Sequence, residues 1–436
     1  MIKKTILTLT ALTLTLNAAD WANWRGPSHN GASTEAGLPV KFSKTENIAW
    51  KVAMPGPSAA TPIIVGDQIF VSSTDPKAKE LLAICLDRRT GKEQWRRVVG
   101  SGFNRDGRSN YASPSPACDG EVVVFFYGNG DLATFDLKGK KLWAKKIQED
   151  SNGFAFQWTF STSPLLHEGV LYMQILQRNT GVRGHGKPNG NESYILALDP
   201  KTGKQLWKHL RPAKAKAESL EAFSTPLPFT HNGREEIVIV GGDCLTGHDP
   251  KSGKELWRWG TWNPSRIGHW RLVPSPTAGG GVILACAPKG SPVFAVNAGG
   301  KGNLGDAGLK WKSEGRRSNV TSDVCTPLFY DGHFFIMYGE GRDKTLSRVV
   351  PGTGKVIWST NLQSRSLIRT SPTGADGKIY LQNHAGESFV VSAKDGKVLH
   401  RTLMGERGDD MTRASIAVSR GQLFIRTNGM LYCVGK

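Results

Sequence analysis

Short runs of alternating apolar and polar residues, broken by tight turns, recur from Ile48 to the C-terminus. Such runs predict β-strands. The unit is clear in SPLLHEGVLYMQILQ and the later SYILALDPKTGKQLW, between Ser163 and Trp207. Ser163-Pro164 opens a short apolar strand. Proline lacks an N–H, so it suits an edge strand and discourages stray pairing. Glu168-Gly169 makes a first hairpin turn, and residues 170–174 and 193–198 alternate as the second and third strands. Asp199-Pro200-Lys201-Thr202-Gly203 is a tight turn, with proline fixing one φ and glycine supplying a positive one. Trp207 then falls on an outer strand, where a large aromatic can fill the widening gap to the next unit.

The same unit returns seven times. Its openers are Thr61-Pro62, Ser115-Pro116, Ser163-Pro164, Thr225-Pro226, Ser275-Pro276, Thr326-Pro327 and Ser371-Pro372. Its closers are Trp95, Trp143, Trp207, Trp257, Trp311, Trp358 and His400. Gly91, Gly139, Gly203, Gly253, Gly354 and Gly396 each stand four residues before a closer, a spacing that holds the register. A period of about 40 to 50 residues is the mark of a β-propeller, one blade per repeat. After the seventh unit, residues 415–418, 422–427 and 430–434 supply three strands and no fourth. Residues 48–52, with Trp50 in the anchor position, supply the missing one. The expectation is an all-β, eight-bladed propeller closed by an N-terminal strand joining the C-terminal blade. Residues 20–436 then form a single domain, although a length of 436 residues alone would suggest two or three.

Residues 1–19 read differently. Lys3 and Lys4 precede an apolar and threonine stretch too short to span a bilayer, followed by Ala18-Ala19. This is the pattern of a secretory signal peptide. No cysteine lies nearby to carry a lipid, so a periplasmic or secreted protein is expected. No later stretch is long and apolar enough for a membrane span. The six cysteines form no CxxC and read as free core thiols. The net charge of +19 comes largely from lysines in blade turns. Export and that spread argue against nucleic acid.

The repeated ALDxxTGKxLW, the opening WANWRGPSHNG at residues 21–31 and the closing ASIAVSRGQLFIRTNGMLYCVGK resemble the secreted PQQ-binding-like propeller repeat proteins, a quinoprotein alcohol dehydrogenase-like group found in planctomycetes and distantly similar to BamB. The resemblance covers nearly the whole chain beyond residue 19. It implies the fold without implying bound PQQ, because such repeats serve both dehydrogenases and cofactor-free scaffolds. The dehydrogenases of the group use a Ca²⁺ held by acidic and amide oxygens, an Asp base, and a disulfide between adjacent cysteines. This chain has no adjacent cysteines, and Asp409-Asp410 is the only acidic pair in the relevant loops. PQQ with Ca²⁺ is therefore disfavoured, no metal site is expected, and no catalytic residue is assigned.

Chemistry in a propeller sits where outer-to-inner strand connections reach the central channel. Here those segments hold Arg105, Arg108, Asn110, Tyr111, Trp158, Arg266, His269, Trp270, Arg271, Arg316, Arg317, Arg365, Arg369, Asp409, Asp410 and Arg413. Guanidinium groups grip carboxylates, sulfates and phosphates in bidentate fashion, and flat aromatics suit a sugar or planar ring. The competing expectation is local pairing, for example of Arg413 with Asp409. The sequence favours a monomeric, exported, non-enzymatic binding or scaffold propeller. Its expected partner is an anionic small molecule, an acidic glycan or an exported protein. A PQQ-dependent oxidoreductase and a polysaccharide-active protein are the alternatives.

Overall fold

The computed structural model describes residues 20–149, 153–260 and 262–435, so the expected signal peptide lies outside the described residues. Eight four-stranded antiparallel blades follow one another along the chain, one of them extended by a fifth strand. Blades 1 to 7 span residues 63–101, 117–146, 165–210, 227–259, 277–312, 328–361 and 373–403. Blade 8 combines residues 417–434 with Ile48–Ala53. That N-terminal strand pairs antiparallel with Met430–Val434, placing Trp50 opposite Cys433 and Val52 opposite Leu431. The ring is thus closed by hydrogen bonds between the two ends of the chain. Among the described residues, helix is limited to short 3-10 turns, and no helix is long and apolar enough to cross a membrane.

Burial follows from each blade lying between two others. Middle strands are covered on both faces, so Val122–Phe126 and Tyr194–Leu198 are buried throughout. Outer strands are covered on one face only, and Gln205–Leu210 keeps its alternation. Anchor tryptophans stitch neighbouring blades. The indoles of Trp50, Trp95, Trp143, Trp207, Trp311 and Trp358 donate to carbonyls of Arg88, Leu137, Pro200, Pro250, Pro351 and Lys394, at 2.6 to 3.2 Å. Each also lies against the turn glycine of the next blade. A Cβ on Gly203 would stand 2.7 Å from the Trp143 ring, and one on Gly91 2.6 Å from Trp50. The glycines thus admit the neighbouring indole as well as holding register. Trp257 is the exception, donating to the Glu236 carboxylate. Blade 5 lacks the turn glycine, and its glycine-rich insertion instead adds Gly302–Asn303 as a parallel fifth strand to blade 4.

Residues 20–42 cross the face that carries the inner hairpin turns. Trp21 exchanges backbone hydrogen bonds with Ile64 of blade 1, and Cys118 of blade 2 donates to the Ala22 carbonyl. The buried Arg25 reaches the Pro327 carbonyl before blade 6. Gly374 of blade 7 is bracketed by Gly31 and Ser33. His400 occupies the anchor position of blade 7 because it receives this segment: its Nε2 lies 2.6 Å from the Phe42 carbonyl, and the rings of the two residues pack edge-on.

The glycine-rich stretch around His185 forms a hairpin of Thr180–Val182 and His185–Asn189. All six cysteines are buried and unpaired. Burial pushes the thiols of Cys85 and Cys286 up to about 12.

Candidate functional site

A closed circle of hydrogen bonds surrounds the channel. The Thr61 amide donates to the Ser115 hydroxyl, and the relay runs through Ser163, Thr225, Ser275, Thr326, Ser371 and Ser415 back to Thr61, each bond 2.8 to 3.2 Å. Seven members are the Ser/Thr of the Ser/Thr-Pro openers. A residue before proline is held extended, which fixes each amide toward its neighbour. Ser415 is the eighth, followed by Ile416 in place of proline. Every hydroxyl accepts one amide, and none donates to a protein acceptor among the described residues. The O–H groups of the five that reach the cavity remain available to a ligand.

Ser115, Ser163, Thr225, Ser371 and Ser415 line a cavity of about 120 Å³ that opens to solvent. All eight interblade connections contribute to it. Four of them supply Arg108, Arg271, Arg369 and Arg413. Trp24, from the segment crossing the opposite face, is also in its wall, so the channel is stoppered from below.

The four arginines differ in how they are satisfied. Arg369 is clasped by both oxygens of Glu340 at 2.5 and 2.8 Å. Burial opposes its charge, but the Glu340 carboxylate outweighs burial and raises its pKa. Arg271 is buried yet stands 3.6 Å from Asp323 and 3.9 Å from Glu218, beyond hydrogen-bonding reach. Arg108 lies over the Trp158 ring at 5.3 Å, while the Trp158 indole donates to Glu218. Arg413 is the unsatisfied one. Its Nε and Nη2 are sealed from solvent and have no hydrogen-bond partner. Burial, then the neighbouring Arg369, lowers its pKa to about 9. A cation held this way is unfavourable unless an anion joins it.

The structure brings together only part of the sequence-read set: Arg108, Trp158, Arg271, Arg369 and Arg413. The others lie outside the cavity wall. Arg105 pairs with the exposed Asp410. Asn110 accepts the Ala112 amide, and Tyr111 faces a side pocket with Phe154 and Gln157. Arg266 is exposed and borders a separate rim pocket at blade 4. His269 is exposed, and Trp270 packs against the core shared by blades 3 to 5. Arg316 lies over Tyr338 at 5.8 Å, while Arg317 and Arg365 are exposed. Asp409 accepts the amides of Glu406 and Asn428 rather than pairing with Arg413, because its loop folds back on it. Sequence reasoning missed Trp24 and the hydroxyl ring. Both were present as motifs, the aromatic WANWRG opening and the Ser/Thr-Pro openers, but read as family marker and strand start.

No Asp, Glu, Asn or Gln is in the cavity wall among the described residues. That donor set lacks the several carboxylate and amide oxygens that a calcium ion takes. Four guanidinium groups and a girdle of hydroxyls suit an anion instead.

An eight-bladed ring of such repeats defines a PQQ-type repeat propeller. The chain belongs to the family described as outer membrane protein assembly factor BamB, which matches residues 32–181, 154–304 and 307–434. It is 25% identical over 296 residues to the tetrathionate hydrolase of Acidithiobacillus ferrooxidans, covering 64% of this chain and 52% of that protein. It is 24% identical over 400 residues to the polyvinylalcohol dehydrogenase of Sphingopyxis sp., covering 87% of this chain and 56% of that one. The chain spans about half the length of these two relatives. Among solved structures it superposes on a europium-containing methanol dehydrogenase with TM-score 0.67 and 11% identity, covering 96% of this chain and 98% of that one. It matches BamB from Moraxella catarrhalis with TM-score 0.60 and 13% identity, covering 89% and 99%. Likeness at that identity speaks to the fold alone.

Proposed function

We propose that this propeller is an exported binding module whose central cavity takes a small dianion or the acidic group of a glycan, without quinone or metal. The carrying observation is Arg413, whose two sealed nitrogens lack a partner while Arg108, Arg271 and Arg369 share the same cavity. An oxyanion there would lie beside these guanidinium groups, offset the buried Arg413 charge and accept from the ring hydroxyls that line the cavity. Trp24 and Trp158 offer flat faces to a sugar or planar body. An unsatisfied buried cation lowers stability in the free protein, which is a common feature of ligand sites.

A hydrolytic role is the second reading. Its support is the likeness to a protein named for tetrathionate, a sulfur oxyanion, which the same cations would hold. The test is a melting series at constant ionic strength, with chloride replaced by sulfate, phosphate, tetrathionate or glucuronate. A ligand at a hundred times its Kd stabilises by about 2.7 kcal/mol. The wild type should respond to at least one of these anions beyond chloride, and Arg413→Gln should respond to none. Equal melting in all salts would refute the binding reading. Turnover of tetrathionate, lost in Arg413→Gln, would promote the second.

A further inference from the structure

On the face opposite the cavity, the geometry points to a transition-metal site built by His167, Glu168 and Glu235 with His29, suited to one Zn²⁺ or a chemically similar divalent ion. It goes beyond the binding function proposed above and does not rest on it.

His167 ends the innermost strand of blade 3, Leu165–His167, and Glu168 follows it in the hairpin turn. Glu235 lies on the second strand of blade 4, Arg234–Gly241. The two blades bring one ligand atom from each of these three residues within 4.8 Å of one another. His167 Nε2 stands 2.6 Å from the Glu235 carboxylate, so the imidazole nitrogen already faces an oxygen ligand. The fourth group arrives from a different part of the chain. His29 belongs to the N-terminal segment crossing this face, and its ring centre is 6.1 Å from that of His167, at right angles. The His29 ring makes no hydrogen bond among the described residues; its nitrogens lie outside the group of three ligand atoms, so it joins the ion only by turning a nitrogen inward.

The structure gathers one imidazole nitrogen and two carboxylate oxygens, and with the His29 ring turned inward they would make a four-coordinate N/O set of the kind Zn²⁺ takes. Zn–N bonds of about 2.0–2.1 Å place two ligand rings with centres roughly 5 to 6 Å apart, close to the observed pair. The ion would replace the hydrogen that His167 shares with Glu235, and the two carboxylates would offset its charge. All six thiols are buried, so none of them competes from the surface. The position gives the ion a structural task. It would tie the crossing segment to blades 3 and 4, five residues beyond the Trp24 stopper.

The test uses the full exported chain without an affinity tag, stripped with chelator and titrated with Zn²⁺ by calorimetry in chloride buffer free of oxyanions. One Zn²⁺ per chain should bind and raise the melting temperature, and Co²⁺ in its place should show the strong visible absorption of a tetrahedral site. His167→Ala should weaken binding at least about 100-fold, and loss of a supporting ligand in His29→Gln about tenfold. Glu235→Gln, which keeps the side-chain size, serves if His167→Ala fails to fold. No Zn²⁺ bound by the wild type would overturn the site, as would wild-type affinity in His167→Ala or Glu235→Gln. Wild-type affinity in His29→Gln would overturn the tie to the N-terminal segment. None of these readouts depends on an anion in the cavity.

Discussion

The Ser415 amide donates to the Thr61 hydroxyl at 3.1 Å, joining residues 354 positions apart and completing the hydrogen-bonded circle. That bond makes the cavity floor a property of the whole ring rather than of one blade. Removing one hydroxyl leaves a buried amide without its acceptor, which costs about 1–3 kcal/mol. Ser163→Ala should therefore lower unfolding stability by that amount in denaturant titration. Ser163→Thr should be nearly neutral, since Thr61, Thr225 and Thr326 hold equivalent places. Equal loss in both variants would mean that the hydroxyl bond is not what matters.

The Trp–Gly contacts predict a difference between two glycines. Gly203 has φ +71 and would set a Cβ 2.7 Å from the Trp143 ring, whereas Gly233 has φ +76 and open space around it. Alanine at Gly233 carries only the backbone penalty of about 1–2 kcal/mol. Alanine at Gly203 should lose about a further 1–3 kcal/mol from overpacking. Matching melting temperatures would argue against interblade packing as the reason for the turn glycine.

Closure by the N-terminal strand predicts a long-range effect. Trp50→Ala should cost about 3–5 kcal/mol, in line with other buried aromatics. Hydrogen exchange should quicken in Met430–Val434, the strand it pairs with at the far end of the chain. Unchanged protection of that segment would contradict the closure.

Much of this fold was legible in the sequence because a propeller repeats its turn chemistry. The Ser/Thr-Pro and Gly-x-x-x-Trp spacings mark strand order directly, and Trp50 marks the missing outer strand. The hydroxyl ring escaped because its members read as strand openers, and Ser415 lacks even the proline that marks the other seven. The cavity was harder to read. A connection segment carries several arginines, and which one turns inward depends on local partners. Arg105 meets Asp410 at the surface, and Arg316 meets Tyr338, so neither reaches the cavity. The His167–Glu235 pair joins two blades 68 residues apart, and no local spacing announces it.

Glu221 gives a pH signature. It is fully buried, and burial raises its carboxyl from 4.5 to about 7 against the pull of Arg178 and the Gln157 amide. Between about pH 4.5 and 7 the folded protein holds a proton that the unfolded chain has released. Stability from this group is therefore greatest at low pH and falls as pH rises through that window. Subtracting the denaturant stability of Glu221→Gln from that of the wild type, from pH 4.5 to 8, should give a difference that declines and then levels. A rising difference would contradict the assignment.

If cavity arginines, not overall charge, hold the anion, charge-matched substitutions inside and outside the cavity should part company. Calorimetric titration with sulfate and with tetrathionate tests it most directly, comparing Arg271→Gln/Arg413→Gln with Lys251→Gln/Lys355→Gln. Both pairs lose the same charge, and both lysines are exposed in blade turns. At least one of the two anions should bind the wild type, the arginine pair should weaken this about 100-fold, near 2.8 kcal/mol, and the lysine pair should stay within about twofold. Equal, small losses in both pairs, or no heat of binding by the wild type for either anion, would contradict it.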